Sequence, residues 1–473
     1  MQKDLLQKAN ANHAQLKGLI EKGILIAEKR KVDRVNSQLI DTDNLIELSD
    51  AQKSSLADLK EQMEVNAVSL LHGITGSGKT QLYVSIINDI VAKGKQALYM
   101  LPEIALTAQM IRRLKMYFGN TIAIYHSKFN PNERVEIWNK VKTGEIKIVL
   151  GARSALFLPY KDLSLIVIDE EHDGSYKQQD PAPRYQARDT AIYYANQIGA
   201  KVILGSATPS IETYYNAQQK KYGYVYLSER YSQGSLPSIE IIDTKKQIDA
   251  TAVLTPTLLK AIQETVANNK QVILFQNRRG YAPYMICQTC GWIPHCQHCD
   301  VTLTYHKAKN LLSCHYCGAN YPIVDTCQAC GKQDFKQKNF GTEQIEEKLS
   351  KAFPSIHIAR MDLDNIKGKN EHDQLIQQFE KRQIDVLVGT QMVVKGLDFE
   401  HVDLVGIVDA DSLLNFNQYR VNERAFQMME QVSGRAGRRN DQGKVLIQVS
   451  QVQHPIIKMV PVSYTHLTLP TNR

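Results

Sequence analysis

The stretch GITGSGKT at residues 73–80 fits the pattern G-x-x-x-x-G-K-T of a phosphate-binding loop. It follows the apolar segment 67–71 and precedes a segment with helical spacing, the context that this pattern requires. Backbone N–H groups of such a loop wrap phosphates at a helix N-terminus. The candidate nucleotide-binding residues are Gly73, Thr75, Gly76, Ser77, Gly78, Lys79 and Thr80. We expect Lys79 to reach the β- and γ-phosphates and Thr80 to hold Mg²⁺.

A run of acidic residues follows the apolar segment 165–168. Asp169 at the strand end is expected to join the Mg²⁺ shell, and Glu170 to polarise the attacking water as a general base. A solvated acidic turn is the alternative, and the upstream phosphate loop disfavours it. Loop and acids together predict an ATPase.

Two further segments favour a motor over a simple kinase. The segment GSATP at 205–209 follows a predicted strand, which brings hydroxyls beside the acids. In the segment QVSGRAGR at 431–438, Arg435 and Arg438 are three residues apart and share one helix face. We expect both as arginine fingers on the γ-phosphate across a lobe interface, with Gln431 as a further nucleotide-binding residue. Surface solubility or binding of a DNA backbone is the alternative for these arginines.

Apolar runs alternate with helical segments along most of the chain, which predicts an α/β fold with doubly wound parallel sheets in two lobes. The first lobe spans 46–230, with strands predicted at 97–101, 121–125, 146–150, 165–168 and 202–204, and helices at 81–92 and 107–118. The second lobe spans 231–285 and 335–460, with strands predicted at 272–275, 357–361, 386–388, 404–408 and 445–449. A Cys-rich insertion, 286–334, is expected between the first strand of the second lobe and the others. Residues 1–45 are predicted to form a short helix and a strand or wing, and 461–473 are expected to be a non-native tail.

All eight cysteines lie in this insertion, in four C-x-x-C pairs. The clustering indicates metal rather than disulfides or free thiols, and eight thiolates suit two closed structural Zn²⁺ sites. The spacing allows a nested arrangement, with Cys296, Cys299, Cys314 and Cys317 in one site and Cys287, Cys290, Cys327 and Cys330 in the other, and sequential pairing remains open. Glycines 291, 318 and 331 suit the tight turns, while histidines 295, 298, 306 and 315 are expected outside the ligand set.

The composition is that of an ordinary globular protein, and its mildly basic charge is compatible with a polyanionic partner. The chain has 473 residues, a length that suits about three domains. Its formal net charge is +8. The start of the sequence lacks the plan of a signal peptide, and no run of 18 apolar residues occurs. These observations predict a cytoplasmic protein without a membrane segment.

The motifs together resemble superfamily 2 helicases, and more narrowly the PriA family of primosomal replication-restart helicases. The resemblance covers roughly residues 46–455, and the matching segments are 73–80, 101–107, 151–157, 169–172, 205–209, 277–281, 389–399 and 431–438. The phosphate loop and the acids identify only the superfamily. The eight-cysteine insertion, with 101–107 and 391–399, is specific to the narrower family.

The resemblance implies two RecA-like lobes and a 3′→5′ DNA helicase that reopens stalled replication forks and helps to load the replicative helicase. Its implied cofactors are ATP, Mg²⁺ and two structural Zn²⁺ in the nested arrangement. Its implied partners are forked and single-stranded DNA, single-stranded DNA-binding protein and primosome components, and a monomer is expected. In the family the zinc module aids duplex separation and partner binding.

The resemblance also implies DNA contacts. In the family the segments 101–107 and 389–399 lie along single-stranded DNA, and an aromatic-rich loop couples DNA binding to hydrolysis. The corresponding loop here includes Tyr176 and Tyr185, expected to stack on bases, and Lys177 and Arg184, expected to contact phosphates. Ordinary core or surface tyrosines are the alternative.

The segment 48–52 resembles the family segment that reads adenine, where Gln52 offers a donor and an acceptor. An exposed helix glutamine is the alternative. Family members also carry a longer N-terminal region and a C-terminal domain, whereas residues 1–45 resemble only the end of a winged helix. We therefore expect a fragment of the family's full length.

Two rival functions remain. Another superfamily 2 translocase, acting on RNA or in repair, is disfavoured by the zinc insertion and by 391–399. An inactive scaffold that binds partners through its zinc module is disfavoured by the intact Glu170, Arg435 and Arg438.

Overall fold

The computed structural model places most of the chain in two compact units, Met1–Leu39 and Ile40–Arg473. The described residues are 5–6, 9–26, 47–102, 108–119, 121–125, 131–230, 237–246, 253–277, 284–299, 302–306, 310–314, 317–338, 342–361, 369–393, 397, 399–415, 419–437 and 443–462. None of the helices in these residues is both long and apolar enough to cross a membrane.

The first unit contains the predicted short helix, α1 (His13–Glu21). A reciprocal capping box begins it, because Asn12 and Gln15 each accept the other's backbone N–H through their side chains. The described residues 23–26 form no strand. The remainder of the predicted strand or wing lies outside the described residues.

The first lobe is built on a parallel seven-stranded sheet in the order β3-β4-β2-β5-β6-β1-β7. Its strands are β1 (Val68–Gly73), β2 (Gln96–Met100), β3 (Ile122–Tyr125), β4 (Ile148–Gly151), β5 (Leu163–Asp169), β6 (Lys201–Ser206) and β7 (Gly223–Leu227). Its helices are α2 (Asp50–Val65), α3 (Lys79–Ala92), α4 (Ala108–Phe118), α5 (Pro131–Thr143), α6 (Ala187–Ile198) and α7 (Ile211–Gln218). The central strands are buried throughout, as the near-continuous apolar runs of the sequence require.

The second lobe is built on a parallel six-stranded sheet in the order β15-β16-β9-β17-β18-β8. In chain order its first elements are β8 (Ser238–Asp243), α8 (Pro256–Ala267) and β9 (Gln271–Phe275). The insertion follows with short antiparallel strands, β10 (Tyr284–Cys287), β11 (Thr304–His306), β12 (Leu311–Ser313), β13 (Asn320–Tyr321) and β14 (Phe335–Lys338). The lobe then resumes with α9 (Thr342–Ala352), β15 (Ile358–Met361), α10 (Lys369–Glu380), β16 (Val386–Gly389), β17 (Val402–Ile407), α11 (Asp411–Leu414), α12 (Val421–Ser433), β18 (Lys444–Val449) and α13 (Pro455–Met459).

The predicted α/β class, both lobes and all ten predicted strands are confirmed, with ends shifted by one or two residues. Two edge strands, β7 and β8, were not predicted. In β7 buried and exposed residues alternate, because one face of this edge strand packs on the core and the other faces solvent. The position of the insertion also needs correction. It follows two strands of the second lobe, β8 and β9, rather than one.

Candidate nucleotide site between the lobes and the paired zinc sites

The phosphate loop connects β1 to α3, as its sequence predicts. Gly76 and Gly78 both have φ of +81°, and Gly78 is the N-cap residue of α3. This left-handed backbone favours glycine and turns the chain tightly into the helix. The Lys79 ammonium donates to the carbonyl oxygen of Gly73 at 2.7 Å, inside the curve of the loop. Thr80 follows in the first turn of α3.

Gln52 braces this loop from outside. Its side-chain nitrogen donates to the Ser77 carbonyl at 3.0 Å and to Gln81 Oε1 at 2.7 Å. Its side-chain oxygen accepts the Ser49 backbone N–H at 3.0 Å, within a capping box that begins α2. Gln52 is only 1% exposed, so the alternative of an exposed helix glutamine is wrong. Its expected contact with adenine stays a prediction.

The two acids lie at the carboxyl end of β5, beside the phosphate loop. Asp169 is buried and accepts hydroxyl hydrogen bonds from Tyr83 at 3.2 Å and Tyr99 at 3.3 Å. Burial, reinforced by the neighbouring Glu170 carboxylate, raises the pKa of Asp169 to about 6, while Lys79 opposes this shift. Glu170 has a φ of +49°, which turns the chain out of the strand.

The second lobe reaches these acids through α12. Gln431 Nε2 donates to Glu170 Oε2 at 2.8 Å and lies 2.9 Å from His172 Nε2. An amide nitrogen only donates, so His172 Nε2 accepts, and Nδ1 carries the proton toward Ser206 Oγ at 2.8 Å. The lobes also touch at the phosphate loop, where a methyl group on Gly434 would lie 2.6 Å from Thr75 Cγ2. The structure therefore brings together four predicted segments: 73–80, 169–172, 205–209 and the described part of 431–438, residues 431–437.

Of the two predicted arginine fingers, only Arg435 lies within the described residues. Arg435 donates from Nη1 to the carbonyl oxygen of Leu397, a residue of its own lobe. Arg438 lies outside the described residues. The roles of both arginines stay predictions.

Glu171 is a site residue that the sequence reasoning missed. It is 0% exposed and accepts from the Ser210 backbone N–H at 2.6 Å, Thr213 Oγ1 at 2.9 Å and Arg188 Nη1 at 2.8 Å. A buried carboxylate needs a charged or hydrogen-bonded partner, and Arg188 on α6 supplies the charge. Glu171 thereby fixes the N-terminus of α7 to the acidic turn. No local signal in the sequence distinguishes it from a solvated acid.

Helix α7 in turn contacts α12 of the second lobe. The Ile211 backbone N–H donates to Glu423 Oε1 at 3.0 Å, and Arg420 Nη1 donates to Glu212 Oε2 at 3.0 Å. Gln427 Nε2 donates to the Thr208 carbonyl at 3.3 Å. Around the acids, the two lobes are therefore joined by hydrogen bonds between polar groups.

The predicted DNA-contacting tyrosines differ from one another. Tyr176 is 1% exposed, and its hydroxyl donates to the Asp169 carbonyl at 2.7 Å and the Met100 carbonyl at 3.1 Å. The expectation that Tyr176 stacks on bases is wrong, because its buried side chain is held against the last residues of β2 and β5. Tyr185 instead packs edge-on against Phe157, with centroids 5.0 Å apart, and Phe157 is 53% exposed. Phe157 belongs to the matched segment 151–157 but was not singled out.

The basic residues of the same loop surround this aromatic pair. Lys177 Nζ donates to the Arg184 carbonyl at 2.7 Å, and Arg153 Nη1 donates to the Lys177 carbonyl at 3.1 Å. Of the other segments predicted to contact DNA, residues 103–107, 394–396 and 398 lie outside the described residues.

The cysteines form two clusters of four, in the nested arrangement. Cys287, Cys290, Cys327 and Cys330 make zinc site 1, and Cys296, Cys299, Cys314 and Cys317 make zinc site 2. Sγ···Sγ distances include 3.4, 3.6 and 3.6 Å, close to the edge of about 3.8 Å that a tetrahedron with Zn–S bonds of about 2.3 Å has. Sequential pairing and disulfides are therefore wrong.

The tight turns at the C-x-x-C pairs, called knuckles below, contain the glycines that were predicted for them. Gly291, Gly318 and Gly331 have φ of +77°, +78° and +72°. Each donates its N–H at 2.8 Å to the carbonyl of the first cysteine of its pair. The eight thiols thus fit two closed structural Zn²⁺ sites with no position left for a substrate.

Three family models match the chain. Residues 49–217 match the DEAD/DEAH box helicase model, 296–322 the PriA DNA helicase Cys-rich region (CRR) domain, and 335–440 the helicase conserved C-terminal domain. The chain is 38% identical over 462 residues to the replication restart protein PriA of Bacillus subtilis (strain 168), covering 96% of this chain and 57% of that one. It is 44% identical over 428 residues to the PriA of Rickettsia felis, covering 89% of this chain and 65% of that one.

Over most of its length the chain is similar to PriA helicases. It spans between 57% and 65% of the length of these PriA relatives. Among solved structures, RecG bound to a three-way DNA junction matches 88% of the chain with a TM-score of 0.51 and 17% identity, covering 45% of that chain. The DUF1998 helicase MrfA bound to DNA matches 89% with a TM-score of 0.52 and 14% identity, covering 48% of that chain. At such identities the likeness establishes only the fold that this chain shares with them.

Proposed function

We propose that the chain is the motor of an ATP-dependent 3′→5′ DNA helicase that acts in the restart of stalled replication forks. The observation that carries the proposal is the hydrogen bond from Gln431 of the second lobe to Glu170 of the first. A residue positioned to activate water is thereby coupled to lobe movement, which is what a motor requires. The role named for the relatives, that of a replication restart protein, supports the biological role.

The phosphate loop fits a triphosphate. Lys79 holds a carbonyl of its own loop, and a phosphate oxygen is a stronger, charged acceptor for the same ammonium. Thr80 and Asp169 would hold Mg²⁺, which shields phosphate charge when it is bound. The raised pKa of Asp169 reflects a buried carboxylate near Glu170 without a full counter-charge, and this donor set suits a divalent cation. Glu170 would orient the attacking water.

The fingers Arg435 and Arg438 complete the proposal. Gly434 meets Thr75 of the phosphate loop, so the neighbouring Arg435 needs a side-chain rotation rather than a lobe rearrangement to approach a bound γ-phosphate. That rotation exchanges the Leu397 carbonyl for a charged acceptor. ATP binding would therefore strengthen lobe closure.

The pair of the exposed Phe157 and the half-buried Tyr185 is the proposed stacking platform for single-stranded DNA, with Lys177 and Arg184 beside it for phosphates. The proposed partners are forked and single-stranded DNA, single-stranded DNA-binding protein and primosome components, with the chain acting as a monomer. A role on chromosomal DNA corresponds to a cytoplasmic location. The zinc module would aid strand separation and partner binding.

The test of the motor is Lys79→Ala. We expect DNA-stimulated ATP hydrolysis to be abolished while two zinc ions per chain are retained, because Lys79 bonds the phosphate loop of the first lobe and the eight cysteines lie in the insertion of the second. Lys93→Ala, an exposed lysine at the far end of the same helix, is the matched control and should keep wild-type turnover. Retained turnover in the Lys79 variant would remove the assigned phosphate site.

The rivals are separated by the nucleic acid that stimulates the wild-type chain. A DNA helicase responds to single-stranded DNA more strongly than to RNA of the same length. Stronger stimulation by RNA would favour an RNA translocase, and no ATP turnover with either polymer would favour a scaffold.

A further inference from the structure

The two lobes repeat one strand plan. When the first six strands of each lobe are ranked in chain order, both sheets have the spatial order 3-4-2-5-6-1. Gln96 and Gln271 begin the second strand of each plan and are both buried. Each donates from Nε2 to two carbonyl oxygens near the end of a helix, at 3.0 and 2.8 Å in the first lobe and at 2.8 and 2.7 Å in the second. The plan is therefore repeated down to individual buried side chains.

This repeat assigns a counterpart to the phosphate loop. In the first lobe the loop leaves β1, beside β6, and in the second lobe β8 takes that place beside β18. The strand pairing of each lobe sets the register between its second strand and its first strand. Relative to Gln96 in the first lobe and Gln271 in the second, Gly73 and Thr244 occupy equivalent positions. The short turn Thr244–Lys246 therefore lies where the first lobe has its phosphate loop.

That position in the second lobe is filled by zinc site 1. Lys245 Nζ donates to the carbonyl oxygen of Cys290 at 2.6 Å. A methyl group on the next residue, Gly291, would lie 2.6 Å from Lys245 Nζ and 3.7 Å from Ser450 Oγ. By the same register, Ser450 corresponds to Ala207 of the first lobe's segment 205–209. The knuckle Cys290–Gly291 thus lies between the counterparts of two segments that form the nucleotide site.

We propose that Lys245 is a positioning residue that docks zinc site 1 into the second lobe's counterpart of the nucleotide pocket. A Zn²⁺ with four thiolates carries a net charge of about −2, so an ammonium one carbonyl away also stabilises the loaded site. Zinc site 1 is thereby part of the second lobe and moves with it. Within the described residues, every member of the apolar cluster around zinc site 2 lies between Met285 and Val324, in the insertion or directly before it. Zinc site 2 is the outer site, attached to the motor through zinc site 1.

The experiment follows the release of zinc from the full chain into a chromogenic chelator. Lys245→Met should accelerate the release of one of the two ions by about tenfold, the change expected for the loss of one charge-assisted hydrogen bond. The other ion should keep its wild-type rate. Cys317→Ser, in zinc site 2, identifies which phase belongs to which site. Lys246→Met, the exposed neighbouring lysine, is the matched control and should leave both rates unchanged.

A second measurement uses two knuckle glycines that make the same hydrogen bond. Hydrogen exchange at the Gly291 amide should increase in Lys245→Met, while exchange at Gly318, the equivalent residue of zinc site 2, should not. Equal effects on both sites, or no effect on either, would overturn the proposal. Both readouts are independent of ATP turnover, so a failure of the proposed helicase function would leave this result interpretable.

Discussion

Gly434 is a residue at which the second lobe closely approaches the phosphate loop. A methyl group there would lie 2.6 Å from Thr75 Cγ2, which is too short for two carbon atoms, so Gly434→Ala must push the lobes apart. Displacements of about 1 Å at a catalytic site cost on the order of 100-fold in rate. We therefore expect the kcat for ATP hydrolysis to fall about 10- to 100-fold, with a smaller change in KM. Steady-state kinetics with saturating single-stranded DNA measure this.

The control for this variant is Gly18→Ala in α1, where an added methyl group meets no atom within 4 Å. It should leave kcat unchanged. Wild-type kcat in Gly434→Ala would contradict a closed interface of this kind in the working enzyme.

Single residues were predictable from sequence where their role follows from the local chain. The phosphate loop is formed by one short segment that turns into a helix, and each C-x-x-C pair is formed by one short turn. Lys79 and the cysteines could therefore be assigned directly from the sequence. Glu171 and Phe157 could not, because their partners lie on other helices and turns that only the folded sheet brings near. The expectation for Tyr176 was wrong for the same reason, because the direction of its ring depends on contacts with two strands.

At the scale of elements, helix α12 carries a buried acid as well as the glutamines that contact the first lobe. Burial raises the pKa of Glu430 to about 7, and its Oε1 has no hydrogen-bond partner among the described residues. A carboxyl group with a raised native pKa holds its proton in the folded state while the unfolded chain releases it. The free energy of unfolding therefore falls as pH rises from about 4.5 to about 7, and the loss is complete above that range.

Glu430→Gln removes this titration and should stabilise the protein at pH 8 by about 1–3 kcal/mol, with little effect at pH 4.5. Thermal or urea unfolding of both proteins at the two pH values measures the difference, and subtraction cancels all other titrating groups. An equal effect of the substitution at both pH values would exclude this origin.

Elements were predictable in proportion to their burial. The central strands of both sheets are continuous apolar runs, which the sequence displays directly. The edge strand β7 exposes Tyr224 and Tyr226 between buried neighbours, so it lacks such a run. Helix α4 was predicted within one residue, because its apolar positions recur at helical spacing.

At the scale of the whole molecule, the sequence indicated two lobes but not how they meet or that they repeat one strand plan. Repetition is a property of strand order and register, which the order of residues along the chain does not display. The interface likewise joins residues that lie more than 200 positions apart, such as Glu212 and Arg420. Only the assembled fold contains that information.

The pairing of Glu212 on α7 with Arg420 at the start of α12 predicts how the lobes respond to charge. Arg420→Glu places a third carboxylate beside Glu212 and Glu423, so like charges oppose closure. Because the pair is partly exposed, the effect is moderate, and we expect DNA-stimulated ATP hydrolysis to fall about three- to tenfold at low salt. Screening should reduce the difference at about 0.5 M salt, where the Debye length is only a few ångströms. The double variant Glu212→Arg with Arg420→Glu reverses the pair and should recover most of the activity. Equal activity of the single and double variants would show that lobe closure does not depend on this ion pair.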